Sequence, residues 1–192
     1  SKLTGISKSG PMIIVSFEVV CRIGDETVFD MDTVFGFFPH EALANQKGLV
    51  ATPDEKAGLE APANHDLDLS LRPARFFEVG PRLAGGDKML MVDRLSVCLP
   101  DGGPKGLGRF RGEKDIDAGQ WFFKAHFFQD PVQPGSLGIE ALIQVLQAGM
   151  IEKGLADGFK HPRFEPIGLH QAMTWKYRGQ VRTWNKLVHS LV

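Results

Sequence analysis

The stretch Trp121-Phe-Phe-Lys-Ala-His-Phe-Phe-Gln-Asp-Pro-Val-Gln-Pro-Gly-Ser-Leu-Gly-Ile-Glu-Ala-Leu-Ile-Gln144 organises the interpretation of this chain. It places His126 in an aromatic block and then breaks the chain at Pro134 and Gly135. A carboxylate, Glu140, follows near the start of an apolar run. Here the sequence brings together a base, a backbone turn and an acid.

The apolar run predicts a long helix over residues 137–153 that ends before Gly154. Its apolar side chains cover most of the circumference, so we expect the helix to be buried on several sides. Glu140, Gln144 and Gln147 follow at helical spacing and share one polar stripe. The central helix therefore has an apolar body and a single polar line along it.

Two β-rich runs near the N-terminus predict a hairpin. Residues 12–20 and 27–38 are rich in β-branched and aromatic side chains, and residues 24–26 form the turn between them. Pro39 begins a short predicted helix over residues 40–47. A two-stranded hairpin is marginal alone, so we expect it to join a larger sheet.

The middle and the end of the chain give weaker patterns. Residues 51–74 carry proline and charge with little bulk, and we expect a linker there. The alternation of Leu67, Leu69 and Leu71 with polar residues fits a strand equally well. Further segments are predicted as strands at 88–98, 107–112 and 185–192, a loop at 159–166, and a strand or mixed segment at 167–177.

Composition excludes several classes of protein. The 192 residues carry a formal net charge of −1 and are 43% apolar, which is ordinary for a globular protein and disfavours a nucleic-acid surface. Cys21 and Cys98 lack a CxxC spacing and are interpreted as buried, reduced thiols. No apolar run approaches the roughly 18 residues of a membrane span. The first residues lack a signal-peptide layout, so we expect a cytoplasmic protein.

The central stretch carries the groups for acid–base chemistry. Histidine titrates near neutral pH and can take up and return a proton. Free N–H groups at the helix start after Gly135 can stabilise charge on a carbonyl oxygen. Burial of Glu140 would favour its protonated form, which can act as an acid. Such a set suits removal of a proton next to a carbonyl and expulsion of a β-hydroxyl group.

Structural roles compete with these assignments. A histidine among phenylalanines is more often a satisfied core residue, and a carboxylate early in a helix commonly complements the helix dipole. Asp130 fits a turn or cap better than a catalyst, and Gln144 fits either a polar lining or a partner for buried backbone groups. The other histidines show no metal-ligand spacing and are interpreted as structural or surface residues: His40, His65, His161, His170 and His189.

Residues 121–144 resemble the active-site segment of the FabA-like 3-hydroxyacyl-acyl-carrier-protein dehydratases. That family pattern runs Trp-Phe-Phe, two residues, His-Phe, two residues, Asp-Pro-Val-x-Pro-Gly-x-Leu-Gly, one residue, an acid, Ala and then Gln. The resemblance covers about residues 80–192, and residues 89–94 match the family's first strand. The matching positions are His126, Asp130, Pro134, Gly135, Leu137, Gly138 and Gln144.

One position departs from the family pattern, because the usual acid is aspartate and this chain has Glu140. The longer side chain moves the carboxyl group by roughly 1.5 Å, which bears on rate and substrate geometry. A Glu or Asp at this place is also similar to the dehydratase domains of polyketide-like polyunsaturated fatty acid synthases.

The resemblance implies an α+β hotdog fold, in which an antiparallel sheet wraps around a long central helix, within a double-hotdog arrangement. Residues 1–50 are then interpreted as the closing strands and short helix of a preceding hotdog unit. Residues 51–74 are the linker, and residues 75–192 form a dehydratase hotdog unit that lacks its final strands. Alternatively, residues 12–38 complete the hotdog that residues 75–192 begin, as a rearranged order of one fold.

The implied reaction is dehydration of a 3-hydroxyacyl thioester to the trans-2-enoyl thioester in fatty acid or polyunsaturated fatty acid synthesis. Some family members also isomerise the double bond. By resemblance, His126 is the base, Glu140 is the acid and the Gly135 N–H binds the thioester carbonyl. A hotdog thioesterase and a non-catalytic structural hotdog half are the alternatives.

The resemblance also implies partners. The histidine and the acid of one site come from two hotdog units, in a homodimer or from a neighbouring domain. An acyl carrier protein delivers the substrate on its phosphopantetheine, and the chain itself needs neither a cofactor nor a metal. Pro134, Gln144 and Phe127 are expected to lie beside the substrate.

Overall fold

A computed structural model describes residues 1–45, 48–83, 86–165 and 172–192. The chain divides into two compact units, Ser1–Gly48 and Leu49–Val192. Each unit has its own antiparallel sheet, and the second contains the long helix. The α+β class expected from the sequence is confirmed.

The first unit is a three-stranded sheet of β1 (Lys2–Ser9), β2 (Met12–Ile23) and β3 (Glu26–Phe37), followed by α1 (His40–Ala44). Two-residue turns join the strands, and Gly10 and Gly24 adopt the positive φ that such turns need. The predicted hairpin is confirmed. β1 was not expected, because its sequence is mostly polar. Of the helix predicted at 40–47, residues 46 and 47 lie outside the described residues.

The sheet of the first unit has one apolar face. Side chains that lie directly opposite in an antiparallel pair share a face. Residues on the other face are mainly polar, for example Glu18 opposite Asp32. Cys21 belongs to the apolar face and is exposed, so the expectation of a buried thiol is wrong at this position. The apolar pairs are Ile13 with Phe37, Val15 with Phe35, Val19 with Met31, and Cys21 with Phe29.

The second unit is built around a four-stranded sheet in the order β4-β5-β6-β7. The long helix α5 packs on this sheet, and its buried side includes Val145, which is fully inaccessible to solvent. The elements are α2 (Pro53–Glu60), β4 (Leu67–Asp68), α3 (Ala74–Phe77), a 3-10 turn (Asp87–Met89), β5 (Arg94–Leu99), β6 (Arg109–Asp115), α4 (Trp121–Ala125), α5 (Gly135–Glu152) and β7 (Leu187–Leu191).

The helix approaches the sheet closely at Gly112 of β6. A Cβ atom at this position would lie 2.3 Å from Cγ2 of Val145 and 2.8 Å from Cγ1 of Val92. Both distances are too short for real contacts, so only glycine lets the backbone of β6 come this near to α5. At Gly149 of the helix, the ring of Phe110 takes the corresponding space, since a Cβ atom there would lie 2.6 Å from the ring.

Residues 51–74 are ordered elements of the second unit, which corrects the expected linker. Thr52 and Glu55 form a capping box at the start of α2. Nη1 of Arg111 donates to the carbonyls of Leu59 and Ala61 at 2.8 and 2.6 Å. These bonds tie the end of the helix to β6, and Leu69, just after β4, is fully buried. Tertiary hydrogen bonds therefore order a segment whose local composition is polar.

The later strands form close to where they were expected, with shifted ends. The strand predicted at 88–98 begins only at Arg94 as β5, and those predicted at 107–112 and 185–192 appear as β6 and β7. Residues 159–165 form the expected loop. Of the segment predicted at 167–177, residues 167–171 lie outside the described residues, and 172–177 carry no strand. Across the described ranges, none of the helices combines the length and hydropathy needed to cross a bilayer.

Candidate active site

The candidate base follows directly from the end of α4. Phe122 and Phe123 are buried and fix this short helix to the core. The His126 N–H still donates to the Phe122 carbonyl at 2.9 Å, as the last hydrogen bond of the turn. The backbone of His126 is then extended, with φ −101° and ψ 118°. The histidine is therefore half-buried at the point where the chain leaves the helix.

The ring of His126 is held by a backbone carbonyl. Its Nδ1 lies 2.9 Å from the carbonyl oxygen of Val132, and its ring centroid is 4.0 Å from that of Phe127. A carbonyl oxygen only accepts hydrogen bonds, so Nδ1 carries the proton. The neutral imidazole then has its lone pair on Nε2, which is the nitrogen that can act as a base.

The loop that supplies this carbonyl has an uncommon backbone. Phe127 and Gln129 adopt positive φ of 56° and 57°, which costs free energy for residues with a side chain. Arg182, from a distant part of the chain, helps to hold this loop in place. Its guanidinium pairs with Asp130, and its backbone bridges to Val132. Asp130 thus has the structural role that the sequence favoured, as the anchor of the loop.

The start of α5 presents backbone N–H groups without a side-chain cap. Pro134 occupies the N-cap position and Gly135 is the first helical residue. The ring of Tyr177 lies against Gly135, since a Cβ there would be 2.5 Å from the ring. Glycine at position 135 therefore leaves room for the ring of Tyr177 at the start of the helix. The sequence motif did not identify Tyr177 as a neighbour of this position.

Glu140 and Gln144 form one hydrogen-bonded pair on α5. Nε2 of Gln144 donates to Oε1 of Glu140 at 2.8 Å and to the Met89 carbonyl at 2.7 Å. Oε1 of Gln144 accepts from the Met91 N–H at 2.8 Å. Gln144 is fully buried and Glu140 is half-buried. Gln144 thus orients the carboxyl group of Glu140 and satisfies buried backbone groups, which is the second of the two roles left open by the sequence.

The candidate residues do not all meet in one cavity. A cleft of about 290 Å³ lies beside the start of α5 and is lined by Gly135, Gly138, Leu142, Tyr177, Lys114 and His189, among others. The described lining does not include His126, Phe127, Pro134, Glu140 or Gln144. Among the described residues, no hydrogen bond or ion pair joins His126 to Glu140. The sequence motif did not identify the residues that β6 and β7 contribute to this cleft.

Glu113 is a second carboxylate near the cleft, and its surroundings argue against an acid role. Burial raises its pKa, but hydrogen bonds from Ser96 and Arg94 and the charges of His189 and Arg111 outweigh that effect and lower it. Glu113 is therefore ionised at neutral pH and has no proton to donate. Glu140, which lies at the acid position of the sequence motif, therefore stays the candidate for the acid.

Comparison with known proteins places the chain in a family. A family model described as "FabA-like domain" matches residues 83–192, and the chain belongs to the FabA-like dehydratase family, with its hotdog fold. The chain is also similar to a subunit of the polyunsaturated fatty acid synthase of Thraustochytrium sp. (strain ATCC 26185 / S-3), with 30% identity over 209 aligned residues. The match covers 100% of this chain and 14% of that relative. The chain thus spans about one seventh of the length of the curated relative it matches.

Proposed function

We propose that this chain dehydrates a 3-hydroxyacyl thioester to the trans-2-enoyl thioester in fatty acid synthesis. The observation that carries the proposal is the hydrogen bond between Nδ1 of His126 and the Val132 carbonyl. In the neutral imidazole this bond places the lone pair on Nε2 of a half-buried ring, which is the nitrogen that a general base would use. Membership of the FabA-like family and the similarity to part of a polyunsaturated fatty acid synthase support the same reaction.

The reaction moves one proton from C2 of the substrate to Nε2 of His126. A second proton goes to the C3 hydroxyl oxygen, which leaves as water. Nε2 of His126 takes the proton from C2, and the electron pair of that C–H bond forms the C2–C3 double bond. The C3–O bond breaks, and a carboxylic acid donates its proton so that water leaves; Glu140 takes this acid role in the site to which it belongs. The Gly135 N–H, at the uncapped start of α5, stabilises the charge that develops on the thioester oxygen.

Two hotdog units supply the groups of one site in this proposal. Glu140 is hydrogen-bonded to Gln144 and has no polar contact with His126 among the described residues. We therefore assign the acid that works with His126 to a second unit. The base that works with Glu140 is assigned to a second unit in the same way. That unit is either a second copy of this chain or a neighbouring domain.

The proposed substrate carrier is an acyl carrier protein, which would present the acyl chain on phosphopantetheine. The cleft beside α5 is lined by apolar side chains, including Ile139, Leu142 and Val188, with Lys114 and His189 at polar positions. Apolar walls with few polar groups suit an acyl chain that ends in a thioester. Phe127 and Pro134 flank the base and the helix start, and we place them near the reacting end.

The reaction class is tested with the whole natural polypeptide that contains residues 1–192 and a 3-hydroxyacyl thioester of carrier protein. We expect an enoyl product, and its double-bond position distinguishes simple dehydration from dehydration followed by isomerisation. Release of free thiol instead would identify a thioesterase and overturn the proposal. Folded protein that turns over no chain length would identify a structural hotdog half and would overturn it as well.

A further inference from the structure

Three side chains with metal-binding atoms converge in the second unit, away from the candidate active site. His65 precedes β4, Cys98 lies in β5, and Glu152 is the last residue of α5. One donor atom from each lies within 4.8 Å of the others, and all three residues are partly buried. The sequence assigned no metal role to His65, because its neighbours in this cluster are 33 and 87 positions further along the chain.

The positions of these side chains are fixed by their surroundings. Asn64 exchanges two hydrogen bonds with the backbone of Cys98, at 2.9 and 3.1 Å, and holds the His65 segment against β5. Nη1 of Arg75 donates to Oε1 of Glu152 at 3.0 Å, and its Nη2 donates to the Ile151 carbonyl at 2.8 Å. Oε2 of Glu152 is thereby turned to His65. Such outer hydrogen bonds are what orients the ligands of a metal site.

The contact between His65 and Glu152 lacks the direction of a hydrogen bond. Nε2 of His65 is shielded from solvent and lies 3.3 Å from Oε2 of Glu152. Within the part of the chain that the structure describes, this nitrogen makes no hydrogen bond. A buried nitrogen that faces a carboxylate oxygen without an aligned proton is unfavourable. A cation that both atoms bind would remove the conflict.

The donor types fit zinc, and so does the separation of one pair of donor atoms. A nitrogen and an oxygen bound at about 2.0–2.1 Å in a tetrahedral arrangement lie about 3.3 Å apart, which is the separation of the His65 and Glu152 atoms. A thiolate, an imidazole and a carboxylate together favour zinc over calcium or magnesium, which prefer oxygen alone. Three protein ligands leave one position of the tetrahedron for water.

We propose that His65, Cys98 and Glu152 form a binding site for a zinc ion. The ion would join the segment before β4, strand β5 and the end of α5, and so stabilise the second unit. Burial, and then the charge of Glu152, raise the pKa of the Cys98 thiol. Metal binding would displace its proton, and the thiolate and carboxylate charges would balance the ion.

The test uses the whole chain, stripped with a chelator and titrated with zinc chloride and, separately, with cobalt(II). We expect one equivalent of zinc to bind and raise the melting temperature. Cobalt should give a thiolate-to-metal charge-transfer band. Cys98→Ser should abolish the band and weaken zinc binding by more than the roughly 10- to 100-fold typical when a residue hydrogen-bonded to a metal ligand is lost. His65→Ala should weaken zinc binding similarly.

Cys21→Ser is the matched control, because Cys21 is an exposed thiol in the first unit. It should keep both the cobalt band and the zinc affinity. Circular dichroism shows whether each variant is folded before it is titrated. Folded wild-type protein that binds no zinc would overturn the proposal and leave an ordinary ion pair. Binding that persists in Cys98→Ser and His65→Ala, or that is lost in Cys21→Ser, would also overturn it.

Discussion

A backbone carbonyl and a buried amide organise the candidate site at the scale of single residues. The Val132 carbonyl sets the tautomer of His126, and Gln144 orients Glu140. The sequence motif predicted both titratable residues, and their catalytic roles stay predictions. It did not identify the carbonyl, because that partner depends on the left-handed backbone at Phe127 and Gln129. Such conformations are held by tertiary contacts and leave little trace in local sequence.

The assignment of Glu140 predicts a rate effect. Glu140→Gln should lower kcat by about 10²- to 10⁴-fold, because the amide has no acidic proton to donate. KM should change little, since the amide oxygen can still accept the hydrogen bond from Gln144. Steady-state kinetics of enoyl formation measure both constants. Retention of most of the activity would mean that the acid lies elsewhere.

Glu140→Asp is the informative companion variant, because aspartate is the usual residue of the family pattern. The shorter side chain keeps the proton but withdraws it by one methylene group. A faster enoyl formation than in the wild type would show that the surrounding site is shaped for aspartate. A slower one would show that this chain has adjusted to the longer acid.

Gln144 should matter to stability as well as to orientation. Gln144→Leu leaves the Met91 N–H and the Met89 carbonyl without their partner. Each unpaired buried group costs about 1–3 kcal/mol of unfolding free energy. Urea denaturation measures the loss. Gln147→Leu, on the same helix and only half-buried, should stay within about 0.5 kcal/mol of wild type. Equal effects of the two substitutions would contradict the role of Gln144.

Among the helices and strands, most strands and the long helix were predicted from the sequence. The predictions were wrong at segments whose structure depends on hydrogen bonds to distant parts of the chain. β5 begins later than predicted, because Gln144 hydrogen-bonds to the Met89 carbonyl and the Met91 N–H. These backbone groups are then not free to pair with a neighbouring strand. Residues 53–60 form a helix within the expected linker; the capping box of Thr52 and Glu55 is a local signal for its start, and Arg111 of β6 donates a hydrogen bond to its last turn. A partner so distant along the chain leaves no signal in the local sequence.

The contact between α5 and β6 predicts a contrast between two glycines. Gly112→Ala would place a methyl group 2.3 Å from Val145, so the helix must move and stability should fall by about 1–3 kcal/mol. Gly138→Ala adds a methyl group with nothing within 4 Å. It should raise stability by about 0.5–1 kcal/mol, since alanine favours the helix. Thermal unfolding compares them, and a stable Gly112→Ala would contradict the close packing.

At the scale of the whole molecule, the sheet of the first unit has an apolar face with large exposed side chains. Phe29, Phe35 and Phe37 are 53%, 44% and 62% exposed. Contiguous apolar surface of this kind marks a site of contact. We expect this face to be covered in the whole natural polypeptide.

The reactivity of the Cys21 thiol measures whether the apolar face is covered, because Cys21 lies on that face opposite Phe29. We expect a thiol-specific reagent to modify Cys21 slowly in the whole natural polypeptide and rapidly in residues 1–48 prepared alone. Mass spectrometry of the peptide that contains Cys21 measures the rate in each. A Ser16→Cys variant on the opposite face should react at similar rates in both. Equal, rapid modification of Cys21 in both proteins would show that the face stays open.

The proposed role of His126 as the base of the dehydration is measured by single-turnover conversion of a 3-hydroxyacyl thioester to the enoyl thioester, followed by mass spectrometry as the loss of water. The whole natural polypeptide is compared with its His126→Ala and His161→Ala variants, since His161 is exposed and lines a different cleft. We predict a loss of at least about 100-fold for His126→Ala and wild-type conversion for His161→Ala. Enoyl formation by His126→Ala at the rate of His161→Ala would show that His126 is not the base.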